Sequence, residues 1–148
     1  MIVSRTTTEN ANFKRLVQSL DQELAITDGD EHSFYDQFNG LENINHVLIM
    51  HDEKTAFACG AIKHFDDATM EIKRMYTLPD YRGKGIGSSI LTALEQWASE
   101  LQYKRCLLET GKRQPDAIAL YKKNGYVEIP NYGQYVGKEN SVCFQKIL

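Results

Sequence analysis

The chain has 148 residues, 42% hydrophobic and 25% charged, with a formal net charge of -3; this fits one domain burying roughly two-thirds of its unfolded surface and excludes a global basic field that would draw in nucleic acid or anionic lipid. The three cysteines, Cys59, Cys106 and Cys143, are odd in number, far apart and set among apolar residues, so buried free thiols in a reducing compartment are expected, with no disulfide framework and no metal. The N-terminus lacks the apolar core of a signal peptide and no run approaches the roughly 18 apolar residues of a membrane span, so the expected location is cytoplasmic with no membrane partner.

Residues 1–7 form a short β-rich start. After Thr8 the apolar residues Phe13, Leu16, Val17, Leu20 and Leu24 share one helical face, which predicts an amphipathic first helix broken by Asp28-Gly29-Asp30. Phe34 and Phe38 predict a short second helix over about 30–38, before Asn39-Gly40. Strand-like runs over 46–51, 55–64 and 69–78 follow. The short polar segments Asp52-Glu53-Lys54 and Asp66-Asp67-Ala68 between them imply an antiparallel meander. Beyond Pro79, Ile86, Ile90, Leu91, Leu94, Trp97 and Leu101 mark a long amphipathic helix, and 105–110 reads as a strand. Strand, glycine turn, helix and strand form a crossover unit, so the strands on either side should be parallel neighbours or near-neighbours. Pro115 suits the first turn of another helix and Asn124-Gly125 its C-terminal cap, with 126–129 and 141–147 as closing strands. The expected fold class is therefore α/β of the α+β kind: one domain over 1–148 with a mixed, mostly antiparallel central sheet of about six or seven strands and about four helices.

The stretch Arg82-Gly83-Lys84-Gly85-Ile86-Gly87-Ser88 lies where the apolar helical period begins, so its glycines sit at a helix N-terminus. Without Cβ atoms, Gly83, Gly85 and Gly87 allow positive φ and a close backbone approach to a bulky anion. The free N–H groups and dipole of the first turn suit phosphate or pyrophosphate, and Arg82 and Lys84 add positive charge. A Walker loop needs GxxxxGK[ST], and a dinucleotide fingerprint needs GxGxxG in an early βαβ unit. Neither fits alternating glycines that follow a meander.

With these residues the chain resembles the GNAT superfamily of acyl-CoA-dependent N-acetyltransferases. Its signature [RQ]-x-x-G-x-[GA] is matched by Arg82, Gly85 and Gly87, after a strand ending Met75-Tyr76-Thr77-Leu78-Pro79. A second signature, A-x-x-L-Y-x-x-x-G-[FY], is matched by Ala117-Ile118-Ala119-Leu120-Tyr121-Lys122-Lys123-Asn124-Gly125-Tyr126. Gln114 departs from the pattern, where many relatives carry asparagine. The resemblance implies a GNAT-like sheet whose parallel fourth and fifth strands splay at the coenzyme site, and acetyl-CoA as co-substrate. Its pyrophosphate would lie on Arg82, Gly83, Lys84, Gly85, Ile86, Gly87 and Ser88, and its pantetheine along the backbone of Met75, Tyr76 and Thr77. A strand edge left free by splaying can pair with the amides of that arm.

Tyr121, at the tyrosine of the second signature, is the implied general acid for the departing thiolate and would stand at the cofactor. Its alternative role is a core aromatic on the helix face of Ala117 and Ile118. The amine must lose a proton before attack. Glu71 stands eleven positions before Arg82, the offset of a base glutamate in the histone-acetylating branch of the superfamily. Glu109, flanked by apolar strand residues, is its rival, because burial raises a carboxyl pKa. Lys63, Lys73 and Arg74 leave a plain salt bridge open for either. On the acceptor side, Glu23, Asp28, Asp30, Glu31 and His32 could greet a cationic amine, although solvated helix ends are the preferred reading. Tyr132 and Tyr135 in 131–135 either wall the acceptor pocket or cover a hairpin. The functional expectation is acetyl transfer to a primary amine of a small molecule, peptide or protein in a ternary complex. A longer acyl group, a non-catalytic acyl-CoA sensor and a homodimeric assembly stay open.

Overall fold

A computed structural model describes residues 1–148. The strands are β1 (Ile2–Thr6), β2 (Ile44–His51), β3 (Ala56–Asp66), β4 (Thr69–Thr77), β5 (Arg105–Gly111), β6 (Val127–Ile129) and β7 (Ser141–Ile147), and the helices α1 (Ala11–Asp28), α2 (His32–Asp36), α3 (Ile86–Glu100) and α4 (Pro115–Lys123). The seven strands make one sheet in the order β1-β2-β3-β4-β5-β7-β6, antiparallel except for the parallel β4–β5 pair. No helix is long and apolar enough to cross a membrane.

Local chemistry accounts for most boundaries. Asn10 caps α1 by accepting the Phe13 N–H at 3.0 Å. Asp52 Oδ1 accepts the N–H groups of Lys54 and Thr55 at 2.8 and 2.7 Å, closing the β2–β3 turn, and Asp66 Oδ1 accepts that of Ala68 at 2.9 Å, closing β3–β4. Alternation along β2 sends Leu48 and Met50 to one face and Val47 and Ile49 to the other. The first pair packs beneath Ile90, Leu91 and Leu94 of α3, and the second against Phe13, Leu16 and Val17 of α1. The sheet therefore carries α3 and α4 on one face and α1 and α2 on the other.

The second helix differs from its expected span. A 3-10 turn occupies Gly29–Glu31 and α2 ends at Asp36, because Gly29 at φ 56 breaks the helix and Phe38 leaves the helical path to meet Tyr135 edge-on at 6.1 Å. The cysteines are free and buried.

Candidate active site

The site begins with a bulge. Strands β4 and β5 pair only over Thr69–Arg105, Met70–Cys106 and Glu71–Leu107, and then part. Arg74, a non-glycine residue at φ 57, interrupts the β3–β4 register where Cys59/Ala61 shifts. Ahead of the bulge Met70 and Ile72 join the α3-side core; beyond it Met75 packs there and Tyr76 turns to the α1 side. Lys73 and Arg74 consequently both point toward the α1–α2 face. The Lys73 ammonium donates to the Phe38 carbonyl at 3.2 Å, and the Arg74 guanidinium binds Asp21 on α1. Opposite the bulge, a Cβ on Gly60 would lie 2.7 Å from Met75 Sδ.

A cavity of about 100 Å³ opens in the fork. Glu71, Lys73 and Met75 wall it from β4, Glu109 and Gly111 from β5, and Tyr121 from α4. Leu20, Leu24 and Asp28 of α1 close one side, with Tyr35, Tyr135 and Asn140 completing the rim. The three proposed catalytic residues, Glu71, Glu109 and Tyr121, thus share one cavity.

Their environments differ. Glu71 is buried and accepts a hydrogen bond from the Tyr132 hydroxyl at 2.6 Å, with Lys73 Nζ at 4.0 Å. Burial, and then the Glu71 charge, push the Tyr132 phenol pKa upward, so it keeps the proton it donates. Burial raises the Glu109 carboxyl to about 7, outweighing Ser141 and Lys73, which pull it down; Asp28 and Glu71 raise it further. Burial, then Glu109, raises Tyr121, which stays a protonated phenol across the physiological range. The Lys73 ammonium is pushed down, first by burial.

The glycine turn meets α3 at its N-terminus. Gly85 is the N-cap at φ 78 and Gly83 stands at φ 76; a Cβ on either would meet nothing within 4 Å. The first intrahelical bond runs from the Ser89 N–H to the Gly85 carbonyl at 3.1 Å, so the Ile86, Gly87 and Ser88 amides lie at the open helix end. Gly87 has a packing role beside its place at the helix end. Its Cβ position lies 3.1 Å from Leu120 Cδ2, so it lets α3 close on α4. Asn124 of the second signature donates to Ser88 Oγ at 3.0 Å and ties the two motifs together. Arg82 spans the turn: Nε donates to the Thr77 carbonyl at 2.8 Å, and Nη2 to both Glu23 carboxylate oxygens at 3.1 and 3.0 Å. The Tyr76 side chain enters the α1-side core, with the Arg82 guanidinium 5.5 Å from its ring.

The acceptor-side residues divide. Tyr135 lines the cavity and Tyr132 reaches it through Glu71, while both also pack over Cys143 of β7. His32 stands behind Asp28, with Nδ1 3.9 Å from Oδ2, and does not line the cavity. The solvated reading fails for Asp28, which is 4% exposed; it holds for Glu23 and Glu31, whose half-exposed side chains pair with Arg82 and Arg113 at the surface, and for the exposed Asp30. Lys73 as a wall residue, the Tyr132–Glu71 bond and Asn140 escape the sequence. A lysine two places from Glu71 on an alternating strand hints at the first; the others depend on contacts across 61 and more positions.

A family model described as the acetyltransferase (GNAT) family matches residues 13–126. An IAA acetyltransferase of Azospirillum brasilense is 34% identical over 102 residues, 68% of this chain and 67% of that protein. The uncharacterized Escherichia coli N-acetyltransferase YjgM is 47% identical over 60 residues, 40% of this chain and 35% of that protein. This chain thus spans about a third to two thirds of the length of these two relatives. A solved Klebsiella pneumoniae structure assigned as an acyl-CoA N-acyltransferase superposes with TM-score 0.82 at 30% identity, covering 99% of this chain and 97% of that one. A GNAT family acetyltransferase from Elizabethkingia anophelis, solved with acetyl-CoA bound, shares the fold at TM-score 0.72 and 18% identity, covering 99% and 97%.

Proposed function

The chain belongs to the GNAT acetyltransferase family, and from that premise we propose that it moves an acetyl group from acetyl-CoA directly to a primary amine within a ternary complex. The single observation that carries the reading is the fork between β4 and β5, where a carboxyl raised to about 7 and a protonated phenol share one cavity. Acetyl-CoA fits as co-substrate. The open amides of Ile86, Gly87 and Ser88 and the unobstructed Gly83–Gly85 turn suit its pyrophosphate. Past Glu71 the β4 edge toward β5 has no strand partner, and its backbone at Met75–Thr77 suits the pantetheine amides.

Glu109 serves as the base that takes a proton from the bound ammonium, since a carboxyl near 7 is matched to that task. Glu71, held by Tyr132 and near Lys73, is better suited to anchor the ammonium than to accept its proton. The freed amine attacks the thioester carbonyl, the C–S bond of the tetrahedral intermediate breaks, the thiolate takes the Tyr121 proton, and the nitrogen gives up its second proton to leave the neutral amide, while Glu109 returns its own to solvent. That second proton, passed directly or through solvent, restores the Tyr121 phenol. The whole of 1–148 acts as one domain in this reading, and three free buried thiols favour the reducing cytoplasm.

The test is thiol release from acetyl-CoA across a panel of amines, with the N-acetyl product identified by mass. Amine-dependent release is expected. Binding of acetyl-CoA with no release on any amine would replace the enzyme by an acyl-CoA sensor.

A further inference from the structure

The acceptor side of the cavity holds a polar group that nothing in the proposed chemistry uses. Asn140, 9% exposed and on the cavity wall, has an Nδ2 with no hydrogen-bond partner. The neighbouring Tyr35 hydroxyl, its pKa raised by burial and drawn back by Ser141 and Asn140, pairs with Ser141 Oγ at 2.9 Å, while the Asn140 amide stands near it without forming a hydrogen bond. The backbone carbonyl of Asn140 accepts the Lys112 N–H at 2.7 Å, which fixes the residue in place. A buried donor without a partner is costly and rare, so the amide awaits an acceptor atom.

A second amide converges on the same place. Asn140 Nδ2 and Gln114 Nε2 each lie 3.4 Å from the position a Cβ on Gly111 would occupy. The missing side chain at Gly111 therefore leaves a niche flanked by two N–H donors. Gln114 is the N-cap of α4 but makes no capping bond, so its amide is free for this role. Gly111 and Glu109 are two residues apart on β5 and face the same side, a backbone spacing of about 7 Å. That spacing suits an ammonium and a carbonyl oxygen carried on adjacent carbons, with a hydrogen bond added at each end.

We propose that the amine acceptor is an α-amino carbonyl compound, its ammonium on Glu109 and Glu71 and its carbonyl or carboxylate oxygen on the amides of Asn140 and Gln114. The inference rests on the acetyl-transfer reading and narrows its acceptor. A cavity of about 100 Å³ suits one small residue, whether a free amino acid or the first residue of a peptide. The two sources present the same chemistry to the niche.

The experiment compares kcat/KM for L-alanine, L-alanylglycine and ethylamine, which shares the skeleton without the carbonyl, in wild type, Asn140→Ala and Gln114→Ala. At least one carbonyl-bearing acceptor should exceed ethylamine by about tenfold or more in wild type, as expected where a site built to hydrogen-bond a group meets an analogue lacking it. Each variant should shrink that ratio several-fold. Amine basicity cancels when ratios are compared between proteins, and a folding defect lowers both rates without moving the ratio. Should Asn140→Ala fail to fold, Gln114→Ala carries the test. Preference for alanine assigns the free amino acid, and preference for alanylglycine assigns the peptide end. A wild-type ratio near one, or a ratio unchanged in the variants, overturns the α-amino carbonyl assignment and leaves amine acetylation standing. No release with any amine overturns both.

Discussion

Tyr121 carries a hydroxyl whose value differs between binding and chemistry. Its ring belongs to the α3-side core, 5.9 Å from Tyr126 and 6.2 Å from Phe144 between centroids, so the core-aromatic reading holds for the ring, and the proposed acid role rests on the hydroxyl of a residue that also lines the cavity. Tyr121→Phe keeps the ring contacts, and stability and CoA affinity should change little. Turnover should fall about 10²-fold or more, because the thiolate loses its proton donor. Parallel measurement of melting temperature, CoA titration and acetyl transfer checks this; wild-type turnover would return the residue to packing alone. Rivalry between Glu71 and Glu109 was legible as two strand carboxylates, but their division of labour was not. The proposed division rests on Tyr132, which arrives from 61 positions away to hydrogen-bond Glu71 and not Glu109.

At the scale of elements, the turn before α3 was the most legible feature, since alternating glycines and the onset of the apolar period are both local. Gly85→Asp adds a Cβ at φ 78, a left-handed position costing an L-residue about 1–2 kcal/mol, and sets a carboxylate at the anion site. The variant should fold, its Cβ meeting open space, and lose most of its CoA affinity in calorimetric titration. Unchanged affinity would move the pyrophosphate elsewhere. The bulge at Arg74 was not legible, because nothing in Lys73-Arg74-Met75 marks a left-handed residue; it follows from Arg74 reaching Asp21 on α1 and from Gly60 opposite. The parallel β4–β5 pair was expected from the crossover, whereas the divergence after Glu71 came only from the family resemblance.

For the whole molecule, sheet order and the two-sided core follow from alternation and helical period, which are properties of neighbouring residues. The acceptor side is assembled from α1, α2, residues 131–135 and Asn140, segments far apart in the chain, so its contents lay beyond local reading. Function there has a stability cost. Between about pH 4.5 and 7 the folded chain holds on Glu109 a proton that the unfolded chain has released, so stability falls as pH rises through that window. Glu109→Gln should remove this slope and raise stability at pH 8 by at most on the order of 3 kcal/mol, while lowering transfer. Denaturant unfolding of both proteins at pH 5 and pH 8 measures it, and equal slopes with pH would show that Glu109 ionises in the folded chain as it does in the unfolded one.

The pH dependence of kcat/KM for acetyl transfer, in wild type and Glu109→Gln, bears on the cavity chemistry most directly. Wild type should rise with a midpoint near 7 as Glu109 ionises and fall only where the acceptor loses its own ammonium proton. Glu109→Gln should lose the limb near 7 and follow the free amine alone, climbing through the acceptor pKa. A wild-type profile that already tracks free amine, or a variant that keeps the limb near 7, would contradict Glu109 as the base.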